Sequence, residues 1–148
     1  MMGSLRQDPR WVDAILDWRW TWLVARTGLC GAYLIGGVTK LSNFTAAVAE
    51  QEHFGLHPGW LWAAVTIAVE IGAPLLLIAG RLVWLAAGAL GVLTFVAMLA
   101  ANDFWTMQGD ARFAATNAFF EHIGLIAGFV MAALIAEHAQ RDGRGRPR

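Results

Sequence analysis

Four apolar runs organise the chain: Trp20–Val38, Trp60–Ala79, Leu82–Ala101 and Ala118–Ala136. Each is close to the ~20 residues that a helix needs to cross a hydrocarbon core about 30 Å thick. The third carries no charge. The first holds Arg26, the second Glu70, and the fourth Glu121 and His122 near its start. Ahead of them, Trp11, Ile15, Trp18 and Trp22 recur at spacings of 4, 3 and 4, with Asp13, Asp17 and Arg19 between. That pattern predicts an amphipathic helix lying in the membrane interface, where tryptophan concentrates. Asp8-Pro9 supplies its N-cap and a first-turn proline.

The connections have their own punctuation. Ser42 or Asn43 caps a short helix after the first run, and Gly55 ends it. Pro58 opens the second run as a first-turn proline. Pro74 lies inside that run, where it kinks the helix and frees the carbonyl of Glu70 four residues back. Gly80-Arg81 leaves room only for a tight turn between adjacent antiparallel helices. The longer connection Asn102–Asn117 contains Phe104-Trp105 and Gly109. Small residues recur at four-residue steps, as Gly28, Ala32 and Gly36 in the first run and Gly124, Gly128, Ala132 and Ala136 in the fourth. Such stripes let helix backbones approach, so the first and fourth spans are expected to pack closely.

The fold class expected is all-α: a membrane four-helix bundle with an N-terminal interfacial amphipathic helix. Residues 1–19 form the lead-in, 20–138 the four-span domain, and 139–148 a disordered basic tail. Composition agrees, with 57% hydrophobic residues, a mean hydropathy of +0.50 and 15% charged residues, against ~25% in soluble domains. Formal net charge is zero, but the signs are unevenly placed. Arg6, Arg10, Arg19, Arg81, Arg141, Arg144, Arg146 and Arg148 fall at the termini and the tight turn, whereas the two longer connections hold Lys40 and Arg112. The positive-inside rule then places both termini in the cytoplasm of a multi-pass inner-membrane protein. No cleavable signal is expected, since the first run is too long for one.

The chemistry starts from Glu70. A charge at the centre of a membrane helix costs roughly 2.5–3.5 kcal/mol on insertion scales, so the carboxylate is expected to be paired, protonated or used. Arg26, Cys30, Tyr33 and Gly37 form a stripe on the first span, closed by Lys40. Arg26 is the expected partner of Glu70, either as a structural clamp or as the cation that poises a ligand-binding carboxylate. A cation one turn away favours the thiolate of Cys30, although a lone membrane cysteine is commonly a packing residue. Asn117 and Glu121 share a face of the fourth span. They form an interfacial polar belt or close a pocket with Lys40 and Trp105. His53 and His57 are separated by Gly55 and followed by Pro58, which spoils their spacing for metal, and adding His122 does not restore it; no metal site is expected. The lone cysteine excludes an internal disulfide.

Arg26, Gly36-Gly37-Val38-Thr39-Lys40-Leu41, Phe54-Gly55-Leu56-His57-Pro58, the stretch from Glu70-Ile71-Gly72-Ala73-Pro74 to Gly80-Arg81, and Phe104-Trp105 together resemble the DoxX family. The resemblance runs from Arg26 to about Ala136. It implies a small four-helix membrane protein of the kind found as the membrane subunit of thiosulfate:quinone oxidoreductases or beside thiol and superoxide defence enzymes. The implied role is a redox subunit that meets a quinone or a redox partner, with no intrinsic cofactor. The ligand-binding set expected is Arg26, Cys30, Lys40, Glu70, Trp105, Asn117 and Glu121, with Glu70 and Arg26 as the catalytic candidates. The alternative is a non-catalytic scaffold or small carrier with a structural Arg–Glu clamp. The partners in view are the bilayer, a redox protein and a second copy of the chain; nucleic acid is not among them.

The charge asymmetry makes a direct prediction. In intact cells a cysteine placed near Gln51 should react with a membrane-impermeant reagent and one near Gly143 should not. The reverse pattern would overturn the orientation.

Overall fold

The computed structural model describes residues 9–101 and 103–144. Among these the chain is all-helical: α1 (Arg10–Leu16), α2 (Arg19–Ser42), α3 (Phe44–His53), α4 (Gly59–Ile78), α5 (Val83–Ala101) and α6 (Gly109–Arg144). Asp8, the expected first cap, lies outside the described residues, and Pro9 takes the N-cap position of α1. α1 buries nothing, and Trp11, Ile15 and Trp18 stand exposed.

Three helices, α4, α5 and α6, are long and apolar enough to cross a membrane. α2 is diluted by Arg26, Lys40 and its glycines, but its 24 residues still measure about 36 Å. Asn43, rather than Ser42, caps α3, accepting from the Ala46 N–H at 3.2 Å. Ser42 instead donates to the Thr39 carbonyl. Gly55, at φ +77°, turns the chain out of α3, and Pro58 takes the N-cap position of α4. α4 continues unbroken through Pro74.

The link from α4 to α5 is a Schellman cap. The Arg81 N–H reaches the Leu76 carbonyl at 2.9 Å and the Gly80 N–H reaches that of Leu77 at 3.1 Å. This requires Gly80 at φ +70°, a backbone state that glycine adopts without strain. The second connection is shorter than expected. Asp103–Thr106 forms a turn held by Thr106 Oγ1 on Asp103, and α6 starts at Gly109. The polar stretch from Asp110 to Asn117 is therefore helical, because its alanines favour helix and Asp110 suits the first turn. α6 also runs to Arg144, so the expected tail is helical over 139–144, while 145–148 lie outside the described residues.

α2 packs on α4, α4 on α5 and α5 on α6, with α3 laid across the start of α4. The α2–α6 contact is thin, contrary to the small-residue expectation. A Cβ at Gly28 or Gly124 would meet nothing, and Gly128 alone touches α2, through Leu29. The close approach lies between α2 and α4. A Cβ on Gly37 would fall 2.7 Å from Ile71 Cγ1 and 3.0 Å from Glu70 Cβ. The stripes failed because repeating small residues mark where a helix can be approached, not by which neighbour. The main core joins Cys30 of α2, Ala73 and Leu77 of α4, Val83 to Leu90 of α5 and Phe129 of α6.

This packing predicts a contrast between glycines. Gly37→Val should lower stability by about 1–3 kcal/mol through overpacking, whereas Gly28→Ala and Gly72→Ala, which meet open space, should be within about 0.5 kcal/mol of wild type. Thermal denaturation in detergent checks this. A tolerant Gly37 would contradict the α2–α4 fit.

Candidate functional site

The antiparallel register of α2 and α4 decides which charges meet. Gly36 lies opposite Glu70, with its Cβ position 3.4 Å from Glu70 Oε2. Ten residues back along α2 is Arg26, and ten residues on along α4 is Gly80. These two also lie together, with Arg26 Nη1 2.8 Å from the Cβ position of Gly80. At 1.5 Å per residue Arg26 and Glu70 are separated by about 15 Å along the helices. The expected Arg26–Glu70 pair is therefore corrected.

The partner of Glu70 is Lys40. Its Nζ donates to Oε1 at 3.0 Å and to Oε2 at 3.2 Å. Lys40 extends back from the last turn of α2, and the side chains keep 19% and 12% of their exposure. Gly36 and Gly37 make the pair possible, since larger residues there would hold the helices apart. A lysine stem can lie along apolar surface while its head reaches a charge.

A second polar pair lies across the helices. The Tyr33 and Thr94 hydroxyls are 2.5 Å apart, and Thr94 also donates to the Leu90 carbonyl of its own helix at 2.6 Å. Thr94 is almost completely buried. The Tyr33 ring meets the edge of Phe129 on α6, with centroids 5.5 Å apart. Sequence reasoning missed Thr94. Its signal was a hydroxyl inside an uncharged span, facing the only tyrosine of the chain.

The remaining candidates are dispersed. Cys30 is buried in the apolar core, level with Leu77 rather than Glu70. A thiol so enclosed fits the inert packing role. Trp105 is 55% exposed, in an aromatic cluster with Phe104 and Phe119. Asn117 and Glu121 are exposed on α6. Among the described residues, none of these three forms a hydrogen bond or ion pair with Lys40 or Glu70. His122 Nδ1 lies 2.6 Å from the Ala118 carbonyl, while His53 and His57 are exposed. No group of three or more His, Cys, Asp or Glu that could hold a metal occurs among the described residues.

A groove of about 490 Å³ runs between α5 and α6 past Gly88, Gly91, Phe129 and Ala133. It does not open on the Lys40–Glu70 pair. Phe129 links the two regions, since it walls the groove and touches Tyr33.

The pairing gives a mutational prediction. Lys40→Leu should destabilise the fold by about 3–5 kcal/mol by leaving a buried carboxylate alone, and Lys40→Leu/Glu70→Leu should recover most of that loss. Arg26→Leu/Glu70→Leu should not recover it. Accumulation and thermal stability of the variants measure this, and rescue through Arg26 instead would refute the register.

The family model for DoxX matches residues 21–103. The matched segment holds Tyr33, Gly36, Gly37, Lys40, Glu70 and Thr94, and ends before Trp105 and α6. No curated protein and no solved structure matches the chain. A match over more than half of the 148 residues, on helices of membrane-spanning length, shows that this chain is a membrane protein of the DoxX family.

Proposed function

We propose that this protein is a multi-pass subunit of the inner cell membrane that works in a redox system, meeting a quinone-type ligand or a redox partner protein. In this reading α2, α4, α5 and α6 are four crossings of one bundle, with α1 in the interface. Both termini lie on the cytoplasmic side with the Gly80 turn. The observation that carries the reading is the Lys40–Glu70 pair, a charged acceptor and donor held together between apolar helices, with the Tyr33–Thr94 hydroxyls on the neighbouring contact. Intramembrane ionisable residues mark ligand or proton pathways by default.

The residues present suit such a ligand. A lysine ammonium has three protons, and Lys40 gives two contacts to Glu70, which leaves one for a ligand oxygen. Glu70 can take one of the two protons that a hydroquinone releases on oxidation, the second passing to water at the membrane surface. The electrons pass to or from a partner, since the sequence carries no haem, flavin or iron–sulfur signature. A groove of about 490 Å³ is within the range of small-molecule sites and suits an apolar tail, with Phe129 between it and Tyr33.

One observation favours a second reading, a scaffold in which Lys40–Glu70 only clamps the helices. Gly36 and Gly37 bring α2 so close to Glu70 that the pair is already enclosed. A short-chain quinone titrated into the purified protein, followed by tryptophan fluorescence, separates the two. The redox reading predicts saturable quenching in wild type, weakened at least tenfold in a folded Lys40→Leu/Glu70→Leu variant. Saturable binding that survives in this variant, or its absence in wild type, would leave the clamp.

A further inference from the structure

Arg26 is left over by the register that pairs Lys40 with Glu70. Its Nε is fully buried and has no hydrogen-bond partner among the described residues. The ion pairs found there are Lys40–Glu70 and Arg141–Glu137, and neither involves it. The side chain as a whole is half-buried, but a buried N–H without an acceptor is uncommon in a native fold and calls for a partner. The guanidinium is nevertheless held in place. It lies over the Trp22 ring, 4.9 Å from the centroid, and Nη1 rests where Gly80 lacks a side chain.

The surroundings identify the acceptor. Arg26 stands at the Gly80 end of the molecule, where α2 faces the Gly80-Arg81 turn, and Arg19 lies two turns before it on α2, over Trp20. Trp18, Trp20 and Trp22 are exposed at this end, as tryptophans at headgroup level are. Beside Trp22 an apolar recess of about 220 Å³ is lined by Leu16, Thr21 and Ala25. A rigid arginine fork matches phosphate oxygens in geometry and charge, and basic pockets beside membrane helices bind anionic headgroups.

We propose that Arg26 is the receptor for the phosphate of an anionic phospholipid. In this site Trp22 and Gly80 orient the guanidinium, Arg19 and Arg81 add positive field, and the recess takes the start of an acyl chain. The site is separate from the Lys40–Glu70 pair and stands whatever that pair does.

Delipidated, full-length protein in detergent provides the test. Native mass spectrometry would follow binding of phosphatidylglycerol, of phosphatidylcholine with the same chains, and of inorganic phosphate. Wild type should prefer phosphatidylglycerol over phosphatidylcholine by at least about fivefold, the scale of one arginine facing an anionic leaflet. Arg26→Gln should remove about that factor, and Arg26→Lys, which keeps the charge but not the fork, should keep part of it. Equal binding of the two lipids by wild type would overturn the proposal, and that result needs no variant to fold. So would an undiminished preference in Arg26→Gln. Inorganic phosphate that displaces phosphatidylglycerol at comparable concentration would also overturn it, by showing a receptor for the free anion.

Discussion

The ion pair between Lys40 and Glu70 is the constraint on which the arrangement of the first helices depends. A carboxylate among apolar helices is costly unless a cation and hydrogen bonds meet it. Lys40 can meet it only if α2 and α4 come close, and they do so where α2 presents Gly36 and Gly37. Charge and close packing thus fix one antiparallel register. The same register carries Arg26 to the Gly80 turn, and the Schellman cap there returns the chain as α5 against α4. α6 joins through α5, and touches α2 mainly at Leu29 and Tyr33.

The two cations of α2 consequently stand in different surroundings. Lys40 closes an internal pair near the α3 end, beside a hydroxyl pair that reaches into α5. Arg26 stands at the opposite end among tryptophans, with its Nε unpartnered among the described residues. A single Arg–Glu site would have concentrated all the polar chemistry at one depth. The register, at 1.5 Å per residue, instead sets Arg26 about 15 Å from Glu70 along the helices, so the proposed quinone-type and lipid sites lie apart.

Much of this was legible in the sequence. The apolar runs located α4 and α5 to within a few residues, Gly80-Arg81 announced the turn, and the lone carboxylate of α4 pointed to the interior site. The pairing was not legible, because depth along a span does not reveal which residue of a neighbouring helix stands opposite; Gly37 against Ile71 supplies that information only in three dimensions. Hydropathy also stopped short on α6. Its first two turns, from Asp110 to Asn117, and its last, to Arg144, are helical but polar, and a hydrophobic window registers only the stretch between. Asn117 and Glu121 share a helix face as their spacing implies, yet that face is exposed, since periodicity groups residues without saying what covers them.

Lys40 is the only lysine in the chain, which makes the central pair directly observable. Solid-state NMR on protein in lipid, carrying ¹⁵N at lysine Nζ and at the arginine guanidinium nitrogens and ¹³C at glutamate Cδ, would measure the dipolar couplings between them. Lysine Nζ should couple strongly to Glu70 Cδ, as the 3.0 and 3.2 Å contacts require, and lose that coupling in Glu70→Gln. Absence of that coupling in wild type, or a coupling from Glu70 to an arginine guanidinium in its place, would contradict the pairing.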